Sequence, residues 1–412
     1  MNVLVLSQYY KPEPVPKPSE IAEELKARGH TVRVVTGFPN YPSGQLHPAY
    51  KLRPWLHEVL DGTPILRVFE MPYHGRSMIG RVVNYLSLTV AAAVGVFFGP
   101  RPDVAYVFLP PPTLALSAAL LQSVRGVPFV CDVQDIWPDE AIASGLMRDG
   151  FVARAIRVVE RLAYATAAHV LVITDGAKRN LIAKGTPADK ISVLPHWYPS
   201  EMDADYGHPE LREKGRQDLH ADGEFIVTFA GNLGLVQGLS TVLDAAAELR
   251  GRANVSFRFV GDGVDRARLE RIANERGLDN VEFLGPRPAA AMPPLLAASD
   301  ALLVHAIPGP LNQLLLPTKT LAYLAAGRPV IAAMDGATAD LVREAGAGVA
   351  VAPGDPAALA DAIAGLSKTP PEVLAEMGAR GRRFVVGRFA KKHVISQLEA
   401  VLATCARGRP RR

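Results

Sequence analysis

Glycine-rich turns at strand ends and a lysine at a helix start are the residues of this chain whose spacing points most directly to chemistry. The chemistry is anion binding. Phe229-Ala230-Gly231-Asn232-Leu233-Gly234-Leu235-Val236-Gln237-Gly238-Leu239 reads as a strand ending in a glycine-rich turn that opens a helix over 240–250. Glycines let the backbone approach a phosphate, and a helix start offers free N–H groups and the positive end of its dipole. Taken alone, such a turn is equally a tight connection. Val260-Gly261-Asp262-Gly263 and Phe283-Leu284-Gly285-Pro286-Arg287 follow the next two strands at the same edge, and three stacked loops outline a nucleotide-sized pocket. The plainer reading of these two is ordinary Asp-Gly and Gly-Pro turns. A fourth element, Leu316-Pro317-Thr318-Lys319-Thr320, feeds a short helix. Thr318 is expected to cap that helix with its hydroxyl, and Lys319 adds a cation where the helix start already favours an anion, so a diphosphate leaving group would be stabilised there. The competing reading of Lys319 is a solvated first-turn lysine.

In the other half, Asp132-Val133-Gln134-Asp135-Ile136-Trp137-Pro138 places a carboxylate and an aromatic ring just past a buried strand. Asp135 there is suited to orient a hydroxyl or to sense positive charge developing on a sugar, or simply to cap the next helix. Trp137 is suited to stack on a sugar face or to pack. Tyr9-Tyr10-Lys11-Pro12-Glu13 and Gly37-Phe38-Pro39-Asn40-Tyr41-Pro42-Ser43-Gly44 follow the first two strands. Tyr10, Glu13, Asn40 and Tyr41 are the acceptor-side candidates, on loops a rigid scaffold would present, and the plainer reading of both segments is connecting loops.

These loops need elements to hold them. Strands are predicted over 3–6, 31–36, 104–108, 128–133 and 170–173, with helices between; the first helix is read over 19–28, with an N-cap at Ser19 and a stop at Gly29. After a polar, irregular stretch over 200–223, strands resume over 225–229, 255–260, 281–284, 301–305, 330–333 and 348–351. Alternating strands and helices imply two doubly wound parallel sheets. The boundary is placed near Pro199, giving an N-terminal domain over 1–199 and a C-terminal one over 200–387, with a ligand cleft expected between them.

A chain of 412 residues, 49% apolar, can bury two such cores. Lys plus Arg exceeds Asp plus Glu by only 45 − 41 = 4, which does not argue for nucleic-acid binding. Cys131 and Cys405 show no metal or redox spacing, and a reducing cytoplasm fits them. The chain opens into a strand without the pattern of a secretion signal. The segment 76–101 holds a largely apolar run over 82–99, read as a helix that packs in the first domain or also lies on a membrane. The basic tail after Ala406 would suit an anionic surface.

In series, Tyr9-Tyr10-Lys11-Pro12-Glu13, Gly29-His30-Thr31-Val32, Phe38-Pro39-Asn40-Tyr41-Pro42, Asp135-Ile136-Trp137-Pro138, Gly231-Asn232-Leu233-Gly234, Gly261-Asp262-Gly263 and Pro317-Thr318-Lys319 resemble retaining GT-B glycosyltransferases of the family 4 type, in the branch of colanic-acid and O-antigen sugar transferases. The resemblance implies an α/β GT-B fold of two Rossmann-like domains and a nucleoside-diphosphate sugar donor, usually uridine-linked. It also implies hexosyl or N-acetylaminosugar transfer with retention, no cofactor or obligatory metal, and a final helix over 388–405 that packs back on the first domain. On that reading Asp135 and Lys319 are catalytic. Gly231, Asn232, Gly234, Gln237, Gly261, Gly263, Gly285, Arg287, Pro317, Thr318, Lys319 and Thr320 bind donor, and Tyr10, Glu13, Asn40, Tyr41 and Trp137 bind acceptor. The acceptor hydroxyl is expected on a polyprenyl-linked saccharide in cell-surface polysaccharide biosynthesis, and the enzyme in the cytoplasm, peripheral at the inner face of the cell membrane.

The chain departs from the broader family where Asn232 and Gln237 replace a phosphate-binding arginine and lysine, and where Ala322 replaces the second of two paired glutamates. Diphosphate binding then leans on backbone N–H groups, Thr318 and Lys319. Other readings are a sugar-nucleotide epimerase of the same fold, a tailoring transferase with a soluble acceptor and a catalytically silent binding protein. A dinucleotide oxidoreductase is disfavoured because Pro-rich sequence follows the first strand in place of Gly-x-Gly-x-x-Gly.

Overall fold

The computed structural model describes residues 1–75, 77–143, 147–203, 209–221 and 223–408. In chain order the elements are β1 (Asn2–Leu6), α1 (Lys17–Ala27), β2 (Thr31–Thr36), β3 (Trp55–Leu60), β4 (Thr63–Val68), α2 (Met78–Gly95), β5 (Val104–Leu109), α3 (Leu114–Arg125), β6 (Phe129–Val133), α4 (Asp139–Ala143), α5 (Phe151–Thr166), β7 (His169–Val172), α6 (Asp175–Ala183) and β8 (Ile191–Val193). There follow α7 (Pro209–Asp218), β9 (Phe225–Ala230), α8 (Ser240–Leu249), β10 (Val255–Val260), α9 (Arg266–Glu275), β11 (Val281–Gly285), α10 (Met292–Ala298), β12 (Ala301–His305), α11 (Leu311–Leu314), α12 (Thr318–Ala325), β13 (Val330–Ala333), α13 (Ala337–Glu344), β14 (Gly348–Val351), α14 (Pro356–Ser367), α15 (Pro371–Phe389) and α16 (Lys391–Arg407). They form two compact units, Met1–Leu194 with Ile395–Arg412, and Pro195–Val394.

The first unit is built on an eight-stranded sheet in the order β3-β4-β2-β1-β5-β6-β7-β8. Helical crossovers cover both faces, so central strands such as β5 and β6 are buried at every position. Only β3 runs antiparallel, against β4. Asp61 and Gly62, both at positive φ (50° and 69°), join these two strands. Two residues cannot make a parallel crossover, and an Asp-Gly pair at positive φ suits a tight hairpin. The sequence reading had no strand at β3, β4 or β8.

Helix α1 starts at Lys17 behind Pro16, without a side-chain cap. Ser19 is therefore not its N-cap; it lies in the first turn, its hydroxyl donating to the Pro16 carbonyl at 2.9 Å. Gly29, at φ 86°, follows the helix end. Helix α2 starts and ends earlier than the apolar run over 82–99 suggested, and Arg76 lies outside the described residues. By length and composition it could cross a bilayer, but it packs on α3 and β4. The final helix starts later than expected, after an extended Ala390. From Ile395 on it belongs to the first unit, where Arg28 Nη1 donates to Ser396 Oγ (2.8 Å) and Glu399 Oε2 (3.0 Å), and His30 meets Glu399 Oε1 at 2.7 Å.

The second unit is a six-stranded, wholly parallel sheet, ordered β11-β10-β9-β12-β13-β14. The stretch read as irregular contains α7, which packs tightly on α10: a Cβ on Gly215 would stand 1.9 Å from the Pro294 carbonyl oxygen.

Candidate functional site

At the carboxyl end of β9 the backbone turns through Gly231 at φ 135°, and at the end of β10 through Gly261 at φ 139°. The two turns lie against each other. Gly231 N donates to Val260 O (2.8 Å), Leu233 N to Asp262 O (2.8 Å) and Asp265 N to Leu233 O (3.0 Å), while Gly261 N donates to Gly285 O (2.9 Å) in the third turn. Side chains would prevent this stacking, since a Cβ on Gly261 would stand 1.9 Å from Gly231 O and one on Gly263 2.4 Å from Leu233 O.

Helix α12 reaches the same place. Tyr323 OH accepts from Ala230 N (2.7 Å) and donates to Ala230 O (3.0 Å), fastening the helix to the end of β9. One turn earlier on the same helical face stands Lys319. Its Nζ lies 3.7 Å from the centroid of the Phe229 ring and 2.8 Å from where a Cβ of Gly231 would be. Nζ is buried and has no hydrogen-bond partner among the described residues, and burial pushes its pKa down to about 7.

These groups line a cavity of about 470 Å³. Of the donor-side residues read from the sequence, Gly231, Asn232, Gly261, Arg287 and Lys319 line it. Gly263 and Gly285 shape the turns behind it. Gly234 and Gln237 sit further along the first turn, where a Cβ on Gly234 would meet Gln237 Oε1 at 2.8 Å. Pro317, not Thr318, occupies the N-cap of α12, so the expected hydroxyl cap is absent and Thr318 is exposed. Thr320 is fully buried and meets Thr338 Oγ1 at 3.2 Å, pointing its hydroxyl into the core. The first glycine turn also does not run straight into α8. A short 3-10 turn over Leu235–Gln237 intervenes, and the N–H groups of Thr241 and Val242 are taken by Gly238 O and Leu239 O.

Tyr323, Glu201, Asp262 and Ala322 also line the cavity, and none was among the site residues read from the sequence. His305 was missed too; its Nδ1 meets Gln237 O at 2.6 Å and its Nε2 is buried without a partner. A histidine ending a buried strand was the available signal.

In the first unit, Glu13 accepts from the N–H groups of Tyr10 (3.2 Å), Asn40 (2.9 Å) and Tyr41 (2.9 Å). Its carboxylate thus ties the loop after β1 to the loop after β2, a positioning task that leaves it buried. Tyr10 is only 1% exposed and faces the core, its pKa pushed up to about 12 by burial. Asn40 is buried, whereas Tyr41 is exposed and leans on Tyr9 and His74, each with ring centroids 5.1 Å away. Behind them Gln8 Nε2 and Asn84 Nδ2 donate to Glu70 Oε1 (2.5 and 2.7 Å). Burial raises the Glu70 pKa to about 8, and Glu70 Oε2, Gln8 Oε1 and Asn40 Oδ1 are buried without partners.

Asp135 does not cap a helix: Glu140 Oε1 accepts from Ile136 N at 2.7 Å, and α4 begins only at Asp139. Burial raises the Asp135 pKa to about 6. Trp137 packs edge-on to Tyr85 of α2 at 6.5 Å and onto the small cluster of Ala141, Met147 and Ala153. Among the described residues, no group of three or more His, Cys, Asp or Glu side chains could hold a metal ion.

Two doubly wound sheets, one ending in glycine turns stacked beside a buried unpaired lysine, define an α/β protein of two Rossmann-like units. HepE of Anabaena has the same fold: its crystal structure in complex with UDP and glucose matches with a TM-score of 0.73 at 21% identity, covering 98% of this chain and 100% of that one. WaaG, a glycosyltransferase involved in lipopolysaccharide biosynthesis, matches with a TM-score of 0.66 at 19% identity, over 97% of this chain and 99% of that one. The glycosyl transferase 4-like domain family matches residues 17–197, and the glycosyl transferases group 1 family matches 224–369. The putative colanic acid biosynthesis glycosyl transferase WcaI of Escherichia coli is 30% identical over 345 residues, 79% of this chain and 82% of the relative. A GDP-mannose-dependent alpha-mannosyltransferase of Mycolicibacterium smegmatis is 29% identical over 326 residues, 78% and 76% of the two chains. The chain belongs to this glycosyltransferase family, the family 4 type of GT-B fold, and is a transferase enzyme.

Proposed function

We propose that the enzyme moves a sugar, with retention of anomeric configuration, from a uridine diphosphate donor to a hydroxyl of a lipid-linked saccharide in cell-surface polysaccharide biosynthesis. The observation that carries this reading is Lys319, a buried cation without a counter-charge among the described residues, beside two glycine turns. A diphosphate supplies the missing charge, and preorganised donors act most strongly on charge that grows as the leaving group departs. In a front-face displacement the acceptor oxygen bonds to the anomeric carbon as the carbon–oxygen bond to the diphosphate breaks. The electron pair leaves with the diphosphate, and a phosphate oxygen takes the hydroxyl proton. Lys319 and the backbone N–H groups hold that leaving group, so the reading needs no metal, and Asp135 is assigned to orienting the acceptor hydroxyl. Uridine is supported by the UDP bound to HepE, and polysaccharide synthesis by the name of the Escherichia coli relative.

A lipid-linked acceptor and a peripheral position at the inner face of the membrane are supported by the outer faces of two helices. Helix α2 exposes Ile79, Val83, Leu86, Val90 and Val94 along one stripe. Helix α5 exposes Phe151, Val158 and Leu162, with Arg154, Arg157 and Arg161 alongside. Apolar stripes flanked by arginines suit an anionic bilayer surface. Of the basic tail, Arg409–Arg412 lie outside the described residues.

The test is a panel of nucleotide sugars scored by thermal shift, followed by release of nucleoside diphosphate from the stabilising donor with a lipid-linked saccharide fraction added. Acceptor-dependent release is expected. Consumption of the donor regardless of acceptor would instead assign an epimerase or hydrolase.

A further inference from the structure

At the opposite edge of the second sheet, where the strands begin, lies another cavity of about 920 Å³. Its charges do not balance. Asp300 Oδ1 accepts from Arg212 Nη2 (2.6 Å), while Asp300 Oδ2 accepts from Arg216 Nη1 (3.2 Å) and Ile226 N (2.9 Å), so both carboxylate oxygens are already engaged. Of the other pairs lining it, Glu224 serves Arg258 at 2.9 Å, and Arg252 is paired with Asp361 at 2.8 Å. Arg328 is left over. It enters the cavity just before β13, its Nε is buried without a hydrogen-bond partner, and it makes no ion pair among the described residues. Burial and the neighbouring Arg212 and Arg216 guanidiniums disfavour its charge, with Asp300 only partly offsetting them. Lys368 stands exposed at the rim. Guanidiniums and an ammonium thus converge on one space whose two carboxylates, Asp300 and Glu224, are already engaged by Arg212, Arg216 and Arg258.

We infer that this cavity is a second anion site, separate from the donor cavity, that takes a phosphate-class oxyanion as a free ion or as the phosphate of a small metabolite. Arg328 is the direct ligand, its planar fork matched to two oxygens, with Lys368 facing the remaining charge. A planar carboxylate would fill one fork only, whereas a tetrahedral multivalent anion meets donors from several directions and leaves the Asp300 pairs in place.

Inorganic pyrophosphate is the probe, titrated by calorimetry into Lys319→Ala protein so that the donor cavity is silenced. About one equivalent should bind, more weakly as salt rises, and Arg328→Met added to Lys319→Ala should weaken binding at least tenfold. Absence of binding to the Lys319→Ala protein, or equal binding by the double variant, overturns the site. Should Arg328→Met fail to fold, the unmodified enzyme answers the question: pyrophosphate should slow phenylglyoxal labelling of Arg328 at least threefold, read by peptide mass spectrometry. Equal labelling with and without the ion also overturns it. Glucose 6-phosphate in place of pyrophosphate tells a metabolite phosphate from the free ion.

Discussion

At the end of β1 the loops of the first unit are held by side chains, whereas at the end of β9 those of the second are held by backbone. Glu13 gathers three N–H groups in the first unit. In the second, Gly231 and Gly261 bond backbone to backbone with no side chain between. The polar atoms left over also differ in kind. The first unit's strand ends carry buried amide acceptors, at Gln8 and Asn40, while the second carries a buried cation at Lys319 and the unpartnered Nε2 of His305, among the described residues. One sheet plan therefore leaves chemically different atoms at its two sets of strand ends. Acceptor atoms suit ligands that donate, as hydroxyls do, and a cation among glycines suits a ligand that brings negative charge.

The strongest way to break this comparison is Lys319→Ala. Turnover should fall about 100- to 1000-fold, as for loss of one preorganised electrostatic donor, with a smaller rise in donor KM. Steady-state kinetics checks it, and unchanged turnover removes Lys319 from the leaving-group role. Glu13→Ala should cost about 2–3 kcal/mol of unfolding free energy in a denaturant titration, because three buried N–H groups lose their acceptor. A loss of activity without a loss of stability would instead make Glu13 an acceptor ligand.

Charge sharpens the contrast. The Lys319 pKa is lowered to about 7, so the ammonium proposed to hold a diphosphate is progressively lost above that pH. Nucleoside diphosphate affinity should therefore fall by up to tenfold per pH unit above pH 7, and the dependence should vanish in Lys319→Arg. Glu70 behaves oppositely. Its folded pKa of about 8 lies above the ordinary 4.5, so the stability contributed by its protonated form is complete below pH 4.5 and is lost as pH rises through 8. Glu70→Gln keeps the uncharged form, so it should leave stability nearly unchanged below pH 4.5, raise it relative to the unmodified protein at pH 7 and flatten that loss, as thermal unfolding across pH will show.

Much of this was legible in the sequence, for physical reasons. Strands buried on both faces read as apolar runs, which is why both parallel sheets could be placed. The hairpin of β3 and β4 was missed although Asp61-Gly62 signals it, because β3 alternates exposed and half-buried residues at the sheet edge. In the cavity at the end of β9 the glycines and Lys319 were readable, since only glycine tolerates those φ values and approaches. Tyr323 and His305 were not, because their tasks depend on contacts across long stretches of chain, to Ala230 and Gln237. Ser19 and Thr318 were misread as caps because Pro16 and Pro317 fix the helix starts earlier.

Helix α16 bears on the order in which this chain can mature. Leu398 and Leu402 are fully buried, and Glu399 receives Arg28 and His30 from near the start of the chain. On the ribosome the first unit is synthesised first, yet it stays incomplete until residues 395–407 have emerged, after the whole second unit. A fragment ending at Leu194 would leave that apolar seam wet, and a separately supplied peptide covering the last helix should restore it.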